Sequence, residues 1–269
     1  MMPGLLTSGL ATGSGGIVGA VLGLVGGGGS ILAVPLLTYV VGVGSPHVAI
    51  GTSALAVSVS AAGNLVPQWR AGRVKWRCAA AFSLAGILGA VAGSTAAKAV
   101  DGKSLLALFG VVMLVVGGMM LRRRRGEGDP EVRLTKGSAP VLLPRLLGVG
   151  VAVGLFSGFF GIGGGFLIVP GLMLATSMPL PMAIGTSLVA VSAFGAATAA
   201  SYAASSLIDW PVAGLFILGG VLGGLVGARL GQRLGRHKRA LTVTFAGLVI
   251  LVGLYVVIRG ALPLLRAST

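Results

Sequence analysis

Two glycine runs stand out among the 269 residues of this sequence. Gly26-Gly27-Gly28-Gly29 and Gly161-Ile162-Gly163-Gly164-Gly165 each interrupt an apolar stretch, and each is followed by a proline nine residues after its first glycine, Pro35 and Pro170. Every glycine in a helix costs about 1 kcal/mol relative to alanine, so a run of them lets the backbone leave the helix. The helix that resumes after the break starts with free N–H groups at the positive end of its dipole. Such an end favours an anion without any buried cation. The residues expected to line an anion site on this reading are Gly27, Gly28, Gly29 and Ser30 in the first run and Gly163, Gly164 and Gly165 in the second. Ser30 stands where it could cap the resumed helix; Phe166 replaces it in the second run, so the two breaks are not chemically equivalent. The competing reading is close helix packing, which small residues serve throughout membrane bundles. Most of the 48 glycines are expected to do only that. Packing needs about one glycine per turn, however, and these runs exceed it.

A second matched element is Ala49-Ile50-Gly51-Thr52-Ser53 with Ala183-Ile184-Gly185-Thr186-Ser187. The hydroxyls of Thr52, Ser53, Thr186 and Ser187 either bond the carbonyls of their own helices or contact an oxyanion or a coupling ion where the two halves meet. Asn64, with Thr198 as its counterpart, is either an interhelical hydrogen bonder or a substrate contact. His47 follows Pro46 near a segment start, which suits an interface position better than proton coupling. Trp69, Trp76 and Trp210 fall where an aromatic belt would lie.

Catalysis finds little support. No Asp, Glu, Lys or Arg lies deep inside an apolar segment, which weakens a carboxylate proton relay. His47 and His237 are the only histidines and are far apart, so neither a zinc motif nor a nucleophile with a base in reach is expected. Single Cys78 excludes an intramolecular disulfide and a multi-cysteine metal or iron–sulfur site. No GxxxxGK[ST] sequence occurs, so direct use of ATP is not expected. The chain is read as a non-enzyme without cofactor or metal.

The elements that must position these residues follow from composition. The chain is 55% hydrophobic and 9% charged, with a mean hydropathy of +1.01; a soluble domain averages about 25% charged residues. No charge falls in residues 1–69 or 146–208. A bilayer core about 30 Å thick needs about 20 apolar helical residues to cross it. Ten segments can be drawn: 5–25, 31–43, 47–66, 78–97, 104–121, 141–160, 166–178, 182–205, 211–228 and 240–258. Segments 31–43 and 166–178 hold only 13 residues, about 20 Å of helix, so they are expected to be half-helices or re-entrant. Continuous apolar runs fit helices; a transmembrane barrel would alternate. The start of the chain has no basic region before its apolar stretch, so a cleaved signal peptide is not expected. The excess of 20 Lys and Arg over 5 Asp and Glu clusters in short loops, without interleaved aromatics, which argues against a nucleic-acid partner and for a lipid bilayer.

The two halves repeat. GGGGSILAVPLL (26–37) aligns with GIGGGFLIVPGL (161–172) at an offset of 135, and AIGTSALAVS (49–58) with AIGTSLVAVS (183–192) at 134. VKW (74–76) matches IDW (208–210), and Gly86, Gly89 and Gly93 match Gly220, Gly223 and Gly227, all at 134. Corresponding loops differ in charge: 70–77 is basic where its partner carries only Asp209, and 229–239 is basic where its partner 98–103 is mixed. Because Lys and Arg in short loops stay cytoplasmic, loops 70–77, 122–145 and 229–239 are placed inside, and 98–103 and 205–209 outside. Five segments per half also invert the second half. The expected fold is an all-α polytopic membrane protein of two inverted-topology repeats with glycine-broken helices: 1–121 as the first repeat, 122–140 as a cytoplasmic linker and 141–269 as the second. Inverted repeats whose interrupted helices meet near the midplane are a transporter signature.

In its glycine–VP and AIGTS motifs the chain resembles the sulfite exporter TauE/SafE family, over essentially its whole length. The resemblance implies a permease of a bacterial or archaeal cytoplasmic membrane, with sulfite, sulfoacetate and other organosulfur anions as the substrate class. Both lines converge on a secondary transporter of small anions working by alternating access, with a proton or sodium as the coupling ion. An anion channel and an intramembrane enzyme are the alternatives. No oligomeric state is implied.

Overall fold

The computed structural model describes residues 4–122, 132, 134–135, 137–161, 165–233, 246–247 and 249–259. Among the described residues there is no strand. The helices are α1 (Leu5–Val25), α2 (Ala33–Pro35), α3 (Pro46–Arg70), α4 (Trp76–Lys98), α5 (Gly102–Arg122), α6 (Ala139–Phe160), α7 (Gly165–Thr176), α8 (Leu180–Ala203) and α9 (Trp210–Arg233), followed by α10 (Val249–Arg259). Six of them, α1, α3, α4, α6, α8 and α9, are long and apolar enough to cross a membrane. The protein is a polytopic helical membrane protein.

Helix boundaries follow local chemistry. Ser45 is extended and Pro46 opens α3, where a missing N–H does no harm. Pro179 is extended before α8 in the same way. Gly161, at φ 63°, ends α6 in the left-handed conformation that glycine adopts at little cost. The expectation of a short helix over 31–43 needs refinement. Gly26–Leu32 is a 3₁₀ segment, α2 is a single turn, and Leu36–Val41 is a π segment closed by Gly42 at φ 80°. Four glycines offer no side chains to hold an α-helical register, and Pro35 lacks the N–H that would continue it. In the second half, α7 has 12 residues, about 18 Å at 1.5 Å per residue, and so falls short of a bilayer core.

Glycine decides how the long helices pack. Gly15, Gly19 and Gly23 of α1 lie directly against the backbone of Phe216, Gly220 and Gly224 of α9, while Gly219 and Gly223 return the contact against Thr12 and Gly16. The two helices therefore run parallel with touching backbones. The same relation joins α6 to α4, where Gly150, Gly154 and Gly158 face Phe82, Gly86 and Ala90. Between these two pairs lie α3 and α8, which run antiparallel. Ser58 Oγ donates to the Ser192 carbonyl at 2.7 Å near their crossing, Gly195 sits beside Ala54 and Ser58, and Gly51 beside Tyr202. Outward faces carry exposed leucines such as Leu84, Leu88, Leu218 and Leu222, as a lipid-facing surface requires. Trp69, Trp76 and Trp210 are exposed at helix ends.

Candidate functional site

The glycine breaks of the two halves come together. The 3₁₀ segment Gly26–Leu32 folds back on α1 and packs against α7 and α8. A Cβ on Gly29 would lie 2.9 Å from the Val18 carbonyl oxygen, so this glycine admits the return of the chain onto α1. Gly28, Gly29 and Ser30 are buried, and Gly27 lies in the same 3₁₀ turn. Gly165 is buried at the start of α7; Gly163 and Gly164 lie outside the described residues.

The Ala-Ile-Gly-Thr-Ser elements dock on these breaks and on the adjoining loops. In the first, the Ser53 hydroxyl bonds the Ile50 carbonyl at 2.8 Å and the Gly161 carbonyl at 3.0 Å. Ile50 packs directly against Gly161, and Gly51 lies against the Leu207 carbonyl. Thr52 Oγ1 accepts the backbone N–H of Asp209 at 3.0 Å. Four consecutive residues of one half thus hold the broken helix of the other half and the loop before α9. In the second element, Gly185 lies beside the Arg73 carbonyl, Thr186 Oγ1 accepts the backbone N–H of Lys75 at 3.0 Å, and Ser187 Oγ donates to Ile184 O at 2.8 Å. Lys75 and Asp209 are the middle residues of the matched VKW and IDW, so the two bonds are related by the same 134-residue offset.

Not all the expected site residues gather at one place. Thr52 and Thr186 each lie six residues before the Ser58–Ser192 crossing of antiparallel helices, which puts them about 18 Å apart along the pair. One small anion cannot touch both. Asn64 lies eleven residues beyond Ser53 on α3, about 16 Å away, and faces Gly224 of α9. Gly27, Gly28, Gly29, Ser30, Ser53 and Gly165 belong to the elements around the two breaks; Ser187 lies on α8, against which the first broken segment packs.

Several structural partners carry no chemical signal of their own in the sequence. Gly161 was legible as part of a glycine run, but its left-handed conformation and its bond to Ser53 were not. The carbonyls of Arg73 and Leu207, and the ring of Tyr202 beside Gly51, have no pattern that marks them.

At one end of the bundle, His47 Nε2 lies 3.3 Å from the Ala97 carbonyl, and Lys98 Nζ donates to Ser201 O, Ser201 Oγ and Ser205 Oγ, each at 3.1 Å. The start of α3 and the ends of α4 and α8 therefore share one end. Lys75 and Thr186 meet at the other. Among the described residues no group of three or more His, Cys, Asp or Glu is placed to hold a metal ion.

Residues 11–256 of this glycine-broken bundle match the family described as sulfite exporter TauE/SafE. The chain belongs to that family. A protein of Xylella fastidiosa (strain 9a5c) named probable membrane transporter protein is 50% identical to it, over 92% of this chain and 94% of the relative. The probable membrane transporter protein YunE of Bacillus subtilis (strain 168) is 27% identical, over 72% of this chain and 77% of its own length. No solved structure matches the chain. The sulfite exporter TauE/SafE assignment makes this protein a multi-pass membrane transporter.

Proposed function

We propose that the chain is a secondary transporter that moves small anions, sulfite or organosulfur anions, across the cytoplasmic membrane of a bacterium or archaeon by alternating access, with a proton or sodium as coupling ion and without an enzymatic step. The observation that carries this reading is the meeting of the two glycine-broken segments inside the bundle. α7 starts at the second break and turns the positive end of its dipole toward it, and the first broken segment packs against α7. An anion bound there needs no buried lysine or arginine. Gly28, Gly29, Ser30, Ser53 and Gly165 surround the proposed anion, and Thr52 and Thr186 tie down the two mouths of the path.

The proposal includes an inverted repeat, residues 1–121 against 141–269, joined by a cytoplasmic linker over 122–140. Its support is that equivalent helices run opposite ways: α3 against α8 directly, and α1 and α6 through their parallel partners α9 and α4. Two halves so related can exchange conformations, which is the basis of alternating access in such folds. The decisive experiment is uptake by proteoliposomes of the purified protein offered sulfite, sulfoacetate and other organosulfonates, at varied pH and sodium. Wild-type protein is expected to move at least one of these anions, and Gly28→Leu to abolish uptake while the protein still inserts and purifies. Normal uptake by Gly28→Leu removes the broken-helix site.

A further inference from the structure

Ser60 and Asn64 lie one turn apart on α3, 1% and 3% exposed, on the face that meets α9. The Asn64 amide N–H₂ donates to the Ser60 carbonyl at 3.0 Å. That leaves Asn64 Oδ1 and Ser60 Oγ buried with no hydrogen-bond partner. Gly220 stands directly against the Ser60 hydroxyl and Gly224 against the Asn64 amide, with the Gly15 carbonyl of α1 beside Gly220. An unpartnered polar group inside a membrane bundle is costly, and two on adjacent turns more so.

Packing does not require them. The positions related by the repeat are Phe194 and Thr198. There Phe194 fills its place against Gly86 and stacks on Phe82 with ring centroids 5.9 Å apart. The aromatic pair there takes the place of the Ser60 hydroxyl, and Thr198 Oγ1 is itself buried without a partner, so of these two pairs of positions the first half alone sets a hydroxyl and an amide oxygen one turn apart. One amide hydrogen of Asn64 is directed at its own helix, and the oxygens left without a partner are Oδ1 and the Ser60 hydroxyl, with the Gly15 carbonyl oxygen beside Gly220. Neutral oxygen acceptors such as these suit a hard cation of single charge; a divalent ion calls for carboxylates.

We propose that Ser60 and Asn64, at the α1–α3–α9 junction, bind a sodium ion. Its role as the coupling ion rests on the transport reading above, since a sodium moving with the substrate offsets the charge of the anion. The binding itself does not. The test is thermal unfolding of the purified full-length protein, with no anion substrate added, in sodium chloride against choline chloride at equal ionic strength. The melting temperature is expected to rise with sodium and not with choline. Ser60→Ala, a mild change, is expected to raise the sodium concentration needed for half the shift about tenfold, the loss of one charge-assisted contact. Asn64→Asp keeps or strengthens the response, and Thr198→Val, at the equivalent position of the other half, responds like wild type. A wild-type protein indifferent to sodium, or a Ser60→Ala protein that responds identically, overturns the site and leaves the two oxygens in weak Cα–H contacts with Gly220 and Gly224. Either outcome is distinct from absence of anion uptake, which counts against the transport reading alone.

Discussion

The backbone N–H of Asp209 donates to the hydroxyl of Thr52 at 3.0 Å, although 157 positions separate them in the chain. The bond fastens the loop before α9 to the first turns of α3. Lys75 and Thr186 repeat it at the opposite end of the bundle. Thr52→Val keeps the shape of the side chain but leaves a part-buried N–H without its acceptor, a loss of about 1–3 kcal/mol. Thr186→Val is expected to cost about the same. The two sites share no partner, so the double variant should show the sum of the single losses. Thermal unfolding of the four proteins in detergent checks this, with Thr52→Ser expected to stay near wild type. A double variant no less stable than either single one contradicts two independent fastenings.

Much of this arrangement was written in the sequence at the level of pattern. The matched AIGTS elements and the matched VKW and IDW were both visible as repeats, and they are the two ends of these bonds. What the pattern lacked was the pairing. A hydroxyl at a repeat interface reads equally well as a substrate contact or as a partner for backbone, and nothing local in Thr52 distinguishes them. The choice depends on a loop 157 positions away. Helix lengths were legible because twenty apolar residues have one stable form in a bilayer. The form of 26–41 was not, because 3₁₀, α and π turns differ by one residue in hydrogen-bond register and glycine favours none of them strongly.

Gly161 combines two constraints. Its φ of 63° disfavours a side chain, by about 1–2 kcal/mol, and a Cβ there would run into Ile50. Gly161→Ala is therefore expected to lose that backbone term together with an overpacking term of about 1–3 kcal/mol. Adding Ile50→Ala relieves only the second. The readout is the melting temperature of Gly161→Ala alone and with Ile50→Ala. Full recovery in the pair means that the left-handed conformation contributes nothing.

Glycines of α1 differ sharply in what surrounds them. Gly19 touches the backbone of Gly220, whereas Gly13 is exposed with nothing within 4 Å of an added Cβ. Gly19→Leu has no side chain to push aside, so α1 and α9 must separate, and the loss should exceed the about 1–3 kcal/mol of ordinary overpacking. Gly13→Leu meets lipid and should be tolerated. Yield and monodispersity of the two variants after detergent extraction separate the cases. Equal behaviour of both contradicts the backbone contact between α1 and α9.

Orientation follows from which loops share an end. Lys98 reaches Ser201 and Ser205 at the C-terminal end of α8, and Asp209 follows six residues after α8 ends, so 98 and 209 lie on one side. Arg73 and Lys75 lie beside Gly185 and Thr186 at the start of α8, on the other. Loop 70–77 carries Arg70, Arg73, Lys75 and Arg77, the kind of short basic loop that stays in the cytoplasm. Native Cys78 is buried and gives little background. Cysteines introduced singly by Lys98→Cys and Asp209→Cys are therefore expected to react with a membrane-impermeant maleimide in intact cells. Arg73→Cys should react only after permeabilisation. Labelling of position 73 from outside, with 98 and 209 protected, reverses the orientation while keeping the fold. Labelling that splits 98 from 209 contradicts the shared end itself, and with it the antiparallel course of α3 and α8 on which the inverted repeat depends.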